Sequence, residues 1–192
     1  MVRHADAFVG GTPAFDLANT VNARPHPSRD DLDRYEGLVD WAVEANIVSP
    51  DQRGDLLRVE QQAANRALRD ARRLRETIYR VYSAIASRTP APARDVDELL
   101  AMHAGTLAHA SLRPGRRGTF AARWPARDRI LGPVAEAAVE LLRHGPLEKV
   151  KECPSCGWLF LDRSRSGTRR WCSMDTCGTR DKMRRYRRQA TR

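Results

Sequence analysis

The sequence predicts a mainly α-helical chain with a small β-hairpin, an α+β arrangement, ending in a compact metal-knuckle module. Three observations predict it. Apolar residues recur at helical spacing through most of residues 29–143. A Pro114-Gly115 turn interrupts them between two short segments of strand character. All four cysteines of the 192-residue chain fall between positions 153 and 177.

Taken in order, residues 1–15 read as irregular, with Gly10-Gly11-Thr12-Pro13 as a turn. Phe15 to Asn22 is amphipathic and reads as a short helix or a helix start, broken by Pro25 and Pro27. Ser28 is placed to cap a helix over 29–46, with Leu32, Tyr35, Leu38, Val39, Ala42 and Val43 on one stripe. Ser49-Pro50-Asp51 supplies an N-cap, a proline at the first helical position and an acid in the first turn. It opens helical sequence to about Arg88, with a break expected near Gln61–Asn65. There Leu68, Ala71, Leu74, Ile78, Val81 and Ile85 line a core face. Arg66, Arg69, Arg72, Arg73 and Arg75 are interleaved with acids and are expected to be solvated. Thr89-Pro90-Ala91-Pro92 ends that helix.

A helix over 95–108 should turn Val96, Leu99, Leu100, His103 and Leu107 inward. Residues 109–125 are expected to form the β-hairpin. A last helix over 127–143 carries Ile130, Leu131, Val134, Ala138, Leu141 and Leu142, and Gly145 is placed as its C′ residue. The expected division is a mostly helical domain over 1–147 and the cysteine module over 148–192.

Cys153 and Cys156 are spaced C-x2-C, Cys172 and Cys177 C-x4-C, and fifteen residues separate the pairs. Each pair suits a tight turn presenting two thiolates at ~2.3 Å from one zinc ion, and the bridge lets the turns meet. Disulfides are rare in the cytosol, so the pairs are read as metal ligands. Four thiolates close the coordination sphere, which points to one structural zinc. Gly157 to Asp162 is a short apolar run suited to a strand, Arg163 to Trp171 a basic turn, and a basic helix starts near Cys177. Knuckle, hairpin, second knuckle and helix make a treble-clef-like finger. A module this small leans on its metal for folding free energy.

The run C-x2-C-x-W-L-F-L-D-x-S-R, followed by R-R-W-C-S-M-x-x-C-G-x-R-x-K, closely resembles the CGNR zinc-finger family from Cys153 to about Arg188. That resemblance implies Cys153, Cys156, Cys172 and Cys177 as ligands. Two positions depart from it: Thr179 stands where the name-giving Asn is found, and Ser166 where members often carry Asn. The segment Phe15-Asp16-Leu17-Ala18-Asn19-Thr20 resembles the L-D-F-x-N-T motif near the start of the ABATE domain, which commonly precedes this finger. The pair of resemblances implies a stress-induced transcription regulator. Asp16, Asn19 and Thr20 read first as groups that cap and hydrogen-bond a buried turn, and second as ligand contacts.

Charge says where a partner would bind. Residues 151–192 hold 12 basic and 4 acidic side chains, so +8 of the chain's +10 sits on the module and +2 on the rest. Localised positive charge is the electrostatic footprint of a nucleic-acid binder. The candidate phosphate contacts are Arg169, Arg170, Arg180, Lys182, Arg184, Arg185, Arg187 and Arg188, with DNA as the expected partner. One alternative is an RNA binder that stacks bases on Trp158, Trp171 or Tyr186. Another is a small-molecule or protein-interaction module with a purely structural finger, its pocket lined by Asp16, Asn19, Trp41 or Trp124.

No catalytic motif is present: no P-loop, G-x-G-x-x-G, H-E-x-x-H or G-x-S-x-G, and His4, His26, His103, His109 and His144 are scattered. No catalytic residue is nominated. No apolar run approaches membrane length and the first residues lack a basic-then-apolar signal pattern, so the cytoplasm is the expected location. A single small finger is a weak specific reader alone, which raises the expectation of a homodimer.

Overall fold

The computed structural model describes residues 8–24, 27, 29–115 and 118–190. Its elements run α1 (Pro13–Ala18), β1 (Val21–Asn22), β2 (Arg29–Asp30), α2 (Tyr35–Glu44), α3 (Pro50–Leu57), α4 (Gln61–Ala86), α5 (Ala93–Leu107), β3 (Ser111–Pro114), β4 (Phe120–Arg123), α6 (Leu131–His144), β5 (Val150–Glu152), β6 (Leu159–Leu161) and α7 (Thr179–Ala190). The strands form three separate antiparallel pairs: β1 with β2, β3 with β4, and β5 with β6. Helix with small strand pairs is the predicted class.

The 26-residue α4 is the axis, about 39 Å long at ~1.5 Å per residue. Its apolar stripe follows the predicted period: Ala71, Leu74, Ile78, Val81 and Tyr82 are buried, and α1, α2, α5 and α6 pack around it. Phe15 of α1 meets Tyr82 edge-to-face at 4.9 Å. The Tyr82 hydroxyl donates to Ala138 O of α6 at 2.5 Å, and burial pushes its ionisation above the ordinary tyrosine range. Each large side chain buried here contributes about 1.5–3 kcal/mol. The β5–β6 hairpin joins this core directly: Val150, Leu159 and Leu161 are buried in the same cluster as Phe15 and Leu74.

Several elements differ from expectation for identifiable reasons. The helix placed over 29–46 begins only at Tyr35, because Arg29–Asp30 pairs with Val21–Asn22 instead. Asp30 holds that geometry: its carboxylate accepts from Leu32 N at 2.8 Å and from both terminal nitrogens of Arg75. Ser28, the expected cap, lies outside the described residues. Arg75 is not solvated. It is buried between Asp30 and Glu76, and Arg24 bridges Glu76 to the carbonyl of Ala18. These cations hold the Asp30 and Glu76 carboxyls below their usual range against the desolvation that opposes it.

Ser49 and Gln52 form the reciprocal cap of α3, and the break before α4 falls at Arg58–Glu60, just ahead of its expected place. On α5, Leu99 is buried as predicted, whereas Leu100 and Leu107 face out. The last helix starts at Leu131, four residues later than predicted, after a separate short turn at Ala126–Asp128. Gly145 caps α6 in extended backbone, not the left-handed form. Its need is space, since a Cβ there would lie 2.6 Å from Leu141 O.

Candidate metal centre and basic face

The first knuckle closes at the end of β5. Cys153 N donates to Trp158 O at 2.8 Å and Gly157 N to Cys153 O at 2.8 Å. Gly157 sits at φ 72°, where other residues are strained. The second knuckle is a wide helical turn over Met174–Gly178 that continues into α7. A Cβ on Gly178 would come within 2.9 Å of Met174 Sδ and 3.2 Å of the Trp171 ring. Thr179 Oγ1 donates to Met174 O at 3.2 Å, so the residue that departs from the family pattern braces this turn.

Together the knuckles bring Cys153, Cys156, Cys172 and Cys177 into one buried group whose sulfur atoms all lie within 4.8 Å of one another. Cys156 Sγ is 3.5 Å from Cys172 Sγ, which is 3.6 Å from Cys177 Sγ, and none forms a disulfide. A tetrahedral zinc ion with ~2.3 Å bonds sets sulfur–sulfur edges of ~3.8 Å, so the four thiols fit it. Phe160 and Trp171 pack around the sulfurs in a small separate core.

The hairpin carrying the first knuckle is fastened to the helical domain by polar bonds as well as packing. Asn19, 3% exposed, lies against β6 like a strand: Nδ2 donates to Leu159 O and Oδ1 accepts from Leu159 N, both at 2.9 Å. Leu161 N donates to Gly10 O, Trp158 Nε1 to Val21 O, and Arg24 N to Cys156 O. Tyr79 and Ser83 of α4 both donate to the Glu152 carboxylate. Burial and that carboxylate push the Tyr79 ionisation up to about 12.

Asp162 is the residue sequence reasoning passed over. It is fully buried and accepts from Lys151 Nζ at 2.6 Å, Ser164 N and Oγ, and Arg169 N. The Lys151 ammonium, then the Ser164 bonds, hold its carboxyl far below the usual carboxylate range. Lys151 also reaches Gly167 O and Arg169 O, so the exposed loop 163–168 stands on a fixed base. The D-x-S spacing was a signal for this local turn. The distant Lys151 was not readable from it.

The basic candidates divide sharply. Arg169 is turned inward, donating to Trp171 O and Cys172 O with its guanidinium 4.7 Å from the Phe160 ring. Arg170 lies over Trp171 at 4.9 Å. Arg184 reaches Ser155 Oγ at 3.2 Å and so ties α7 to the first knuckle. Arg187 is exposed and partnered. Arg180 and Lys182 are exposed with no partner among the described residues, as is Arg165 of the loop, which was not a candidate. Arg185 and Arg188 lie on α7, their side chains outside the described residues.

Of the remaining polar candidates, Asp16 Oδ1 accepts from Gly10 N at 2.9 Å, and burial raises its ionisation to about 6. Thr20 Oγ1 donates to Leu17 O at 2.8 Å. Trp41 is wholly buried, and Trp124 packs on Gly132 of α6. Among the described residues no helix is long and apolar enough to cross a membrane.

Comparison with known proteins agrees with this geometry. The ABATE model, described as "Putative stress-induced transcription regulator", matches residues 11–145, and the CGNR zinc-finger model matches residues 149–190. No curated protein matches the chain. With two-thirds of its length matched by the first model and its cysteine module by the second, the chain belongs to the ABATE family and carries a CGNR zinc finger.

Proposed function

We propose that this protein is a zinc-dependent DNA-binding transcriptional regulator, resident in the cytoplasm, with no catalytic activity of its own. Cys153, Cys156, Cys172 and Cys177 hold one structural zinc, and the finger's outer side meets DNA. The observation that carries the reading is a set of exposed cations without a partner among the described residues, Arg165 on the loop 163–168 and Arg180 and Lys182 on α7, all carried by the module whose four cysteines come together. With no ion pair of their own among the described residues, such side chains are available to replace counterions on phosphates. Arg169 serves the second knuckle instead. RNA is less favoured, because Trp158 bonds into the helical domain and Trp171 is buried, leaving Tyr186 as the exposed stacking surface among the three.

The helical domain is proposed to sense an effector. Support comes from a groove of about 580 Å³ between α2, α3, α4 and the turn before α6, floored by Leu38, Leu56 and Ile130 and rimmed by Arg66 and Asp70. Asn19 and Thr20 are bonded to backbone and are better placed to brace the hairpin than to touch a ligand.

The test is DNA binding by the zinc-loaded chain as a function of salt. Arg180→Ala with Lys182→Ala should reduce the slope of log K against log salt by about two units. Arg169→Ala should instead lower metal retention. An unchanged slope in the double variant would remove α7's first turn from the interface.

A further inference from the structure

We propose that Met183 and Tyr186, the outward ridge of α7, read thymine 5-methyl groups in the major groove of duplex DNA, between cations that hold the flanking phosphates. The inference deepens the DNA-binding reading and rests on it. From Thr179 to Gln189 the only apolar or aromatic side chains are Met183 and Tyr186. They are three residues apart and so share one face of the helix. Met183 is 49% exposed and Tyr186 69%, and neither belongs to an apolar core among the described residues. Single exposed apolar residues are ordinary on a protein surface. Two aligned on a helix that buries none of its described residues are a feature the fold itself does not use.

The rest of the helix says which way that ridge points. Arg184 donates to Ser155 Oγ of the first knuckle at 3.2 Å and pairs with Asp181 at 3.8 Å. At about 3.6 residues per turn, the side carrying Asp181 and Arg184 lies nearly opposite the side carrying Met183 and Tyr186. The ridge therefore faces away from the metal module. Lys182 flanks it on one side and Arg180 and Arg187 on the other, and all three are exposed. Asp181 is the only acid from Thr179 to Gln189, and it lies on the inner side with Arg184.

Charge selects the occupant. Cations on both flanks of an apolar ridge complement a major groove, in which a row of phosphates borders the base edges on each side. The groove is about 12 Å wide and admits a helix of about 10–12 Å with its side chains. Contacts from the flanks position such a helix, and contacts from the ridge specify sequence. On the groove floor the apolar group is the thymine methyl, which suits Met183 and the Tyr186 ring. The two side chains are ~4.5 Å apart along the axis against ~3.4 Å between base pairs, so they meet neighbouring pairs. Other occupants fit worse. A helix lying on a lipid surface uses a broad apolar face, and this ridge is one residue wide. A protein groove takes anchors out to i+7, and seven residues beyond Met183 stands Ala190. Duplex RNA has a deep, narrow major groove that side chains do not read.

The test is binding of the full zinc-loaded chain to an A·T-rich duplex and to the same duplex with deoxyuridine in place of thymidine, at about 0.15 M salt. The two probes differ only in the 5-methyl groups, so phosphate charge is constant. The wild-type chain should bind the thymine form about tenfold more tightly. Met183→Ala with Tyr186→Ala should erase that preference and leave helix content, bound metal and the salt slope unchanged. Arg180→Ala with Lys182→Ala should do the reverse, lowering the slope and keeping the preference. Equal affinity of the wild-type chain for both duplexes overturns the proposal while DNA binding stands, and so does a preference that survives the double alanine variant. Retention of neither duplex overturns it together with the DNA-binding reading. Tighter binding to single-stranded RNA or to anionic vesicles, lost in the double alanine variant, overturns it in favour of that partner.

Discussion

The two halves of the cysteine module share one candidate metal centre but do opposite things. In the inner half, Val150, Cys153, Cys156 and all of β6 are buried, and the polar groups of the hairpin and first knuckle bond to Asn19, Val21, Arg24, Tyr79 and Ser83 of the helical domain. In the outer half, α7 buries none of its described residues and leaves Arg180 and Lys182 without a partner among the described residues. Even arginines sort this way, with Arg169 turned inward and Arg180 outward. Basic charge alone therefore does not mark a partner surface; a cation is available only where the fold has not already used it.

That contrast can be broken at its strongest point. Asn19→Ala removes both bonds to Leu159 and leaves a buried N–H and C=O unpaired, at a cost of about 2–4 kcal/mol. Thermal or urea unfolding would report it, and metal release should shift with it. A loss below about 0.5 kcal/mol would mean that the hairpin is held by packing alone.

Next in size is a pH effect in α1, the helix that packs on β6. Burial raises the Asp16 carboxyl from 3.8 to about 6 in the folded chain. The native state therefore binds the proton more tightly, so this residue's contribution is present below pH ~4 and is lost as pH rises through about 6. Asp16→Asn should flatten the fall in stability across that window by on the order of 2–3 kcal/mol. Equal slopes in the two proteins would contradict the burial argument.

The outer half should show the smallest effect on stability. Arg180→Ala with Lys182→Ala is expected to change unfolding by less than about 0.5 kcal/mol while reducing the salt dependence of DNA binding. A large destabilisation would show that these side chains brace the finger after all.

What was legible in the sequence follows the range of the interactions. The knuckles are local: C-x2-C and C-x4-C bring their sulfurs together through turns of a few residues, and the structure gathers all four. The stripe of α4 is also local, and its buried positions match the helical period. The unread features depend on distant partners. Arg75 looked like one more surface arginine until Asp30, 45 residues away, met it, and the same pair kept Arg29–Asp30 out of α2. Asn19 matched a family motif, but its partner lies 140 residues on. Leu100 and Leu107 fit an inward stripe by period, yet α5 packs on its neighbours through a narrower seam around Leu99.

The central claim is that the metal module's inner half is part of the helical domain's core, so that metal and helices come apart together. Urea unfolding of the zinc-loaded chain tests it most directly, with released zinc followed by a chromogenic chelator and helix content by circular dichroism in the same samples. Coincident midpoints are the predicted result, because Val150, Leu159 and Leu161 cannot leave the core without opening the first knuckle. Zinc released at clearly lower urea, with the helical signal still intact, would contradict it and make the finger an independent appendage.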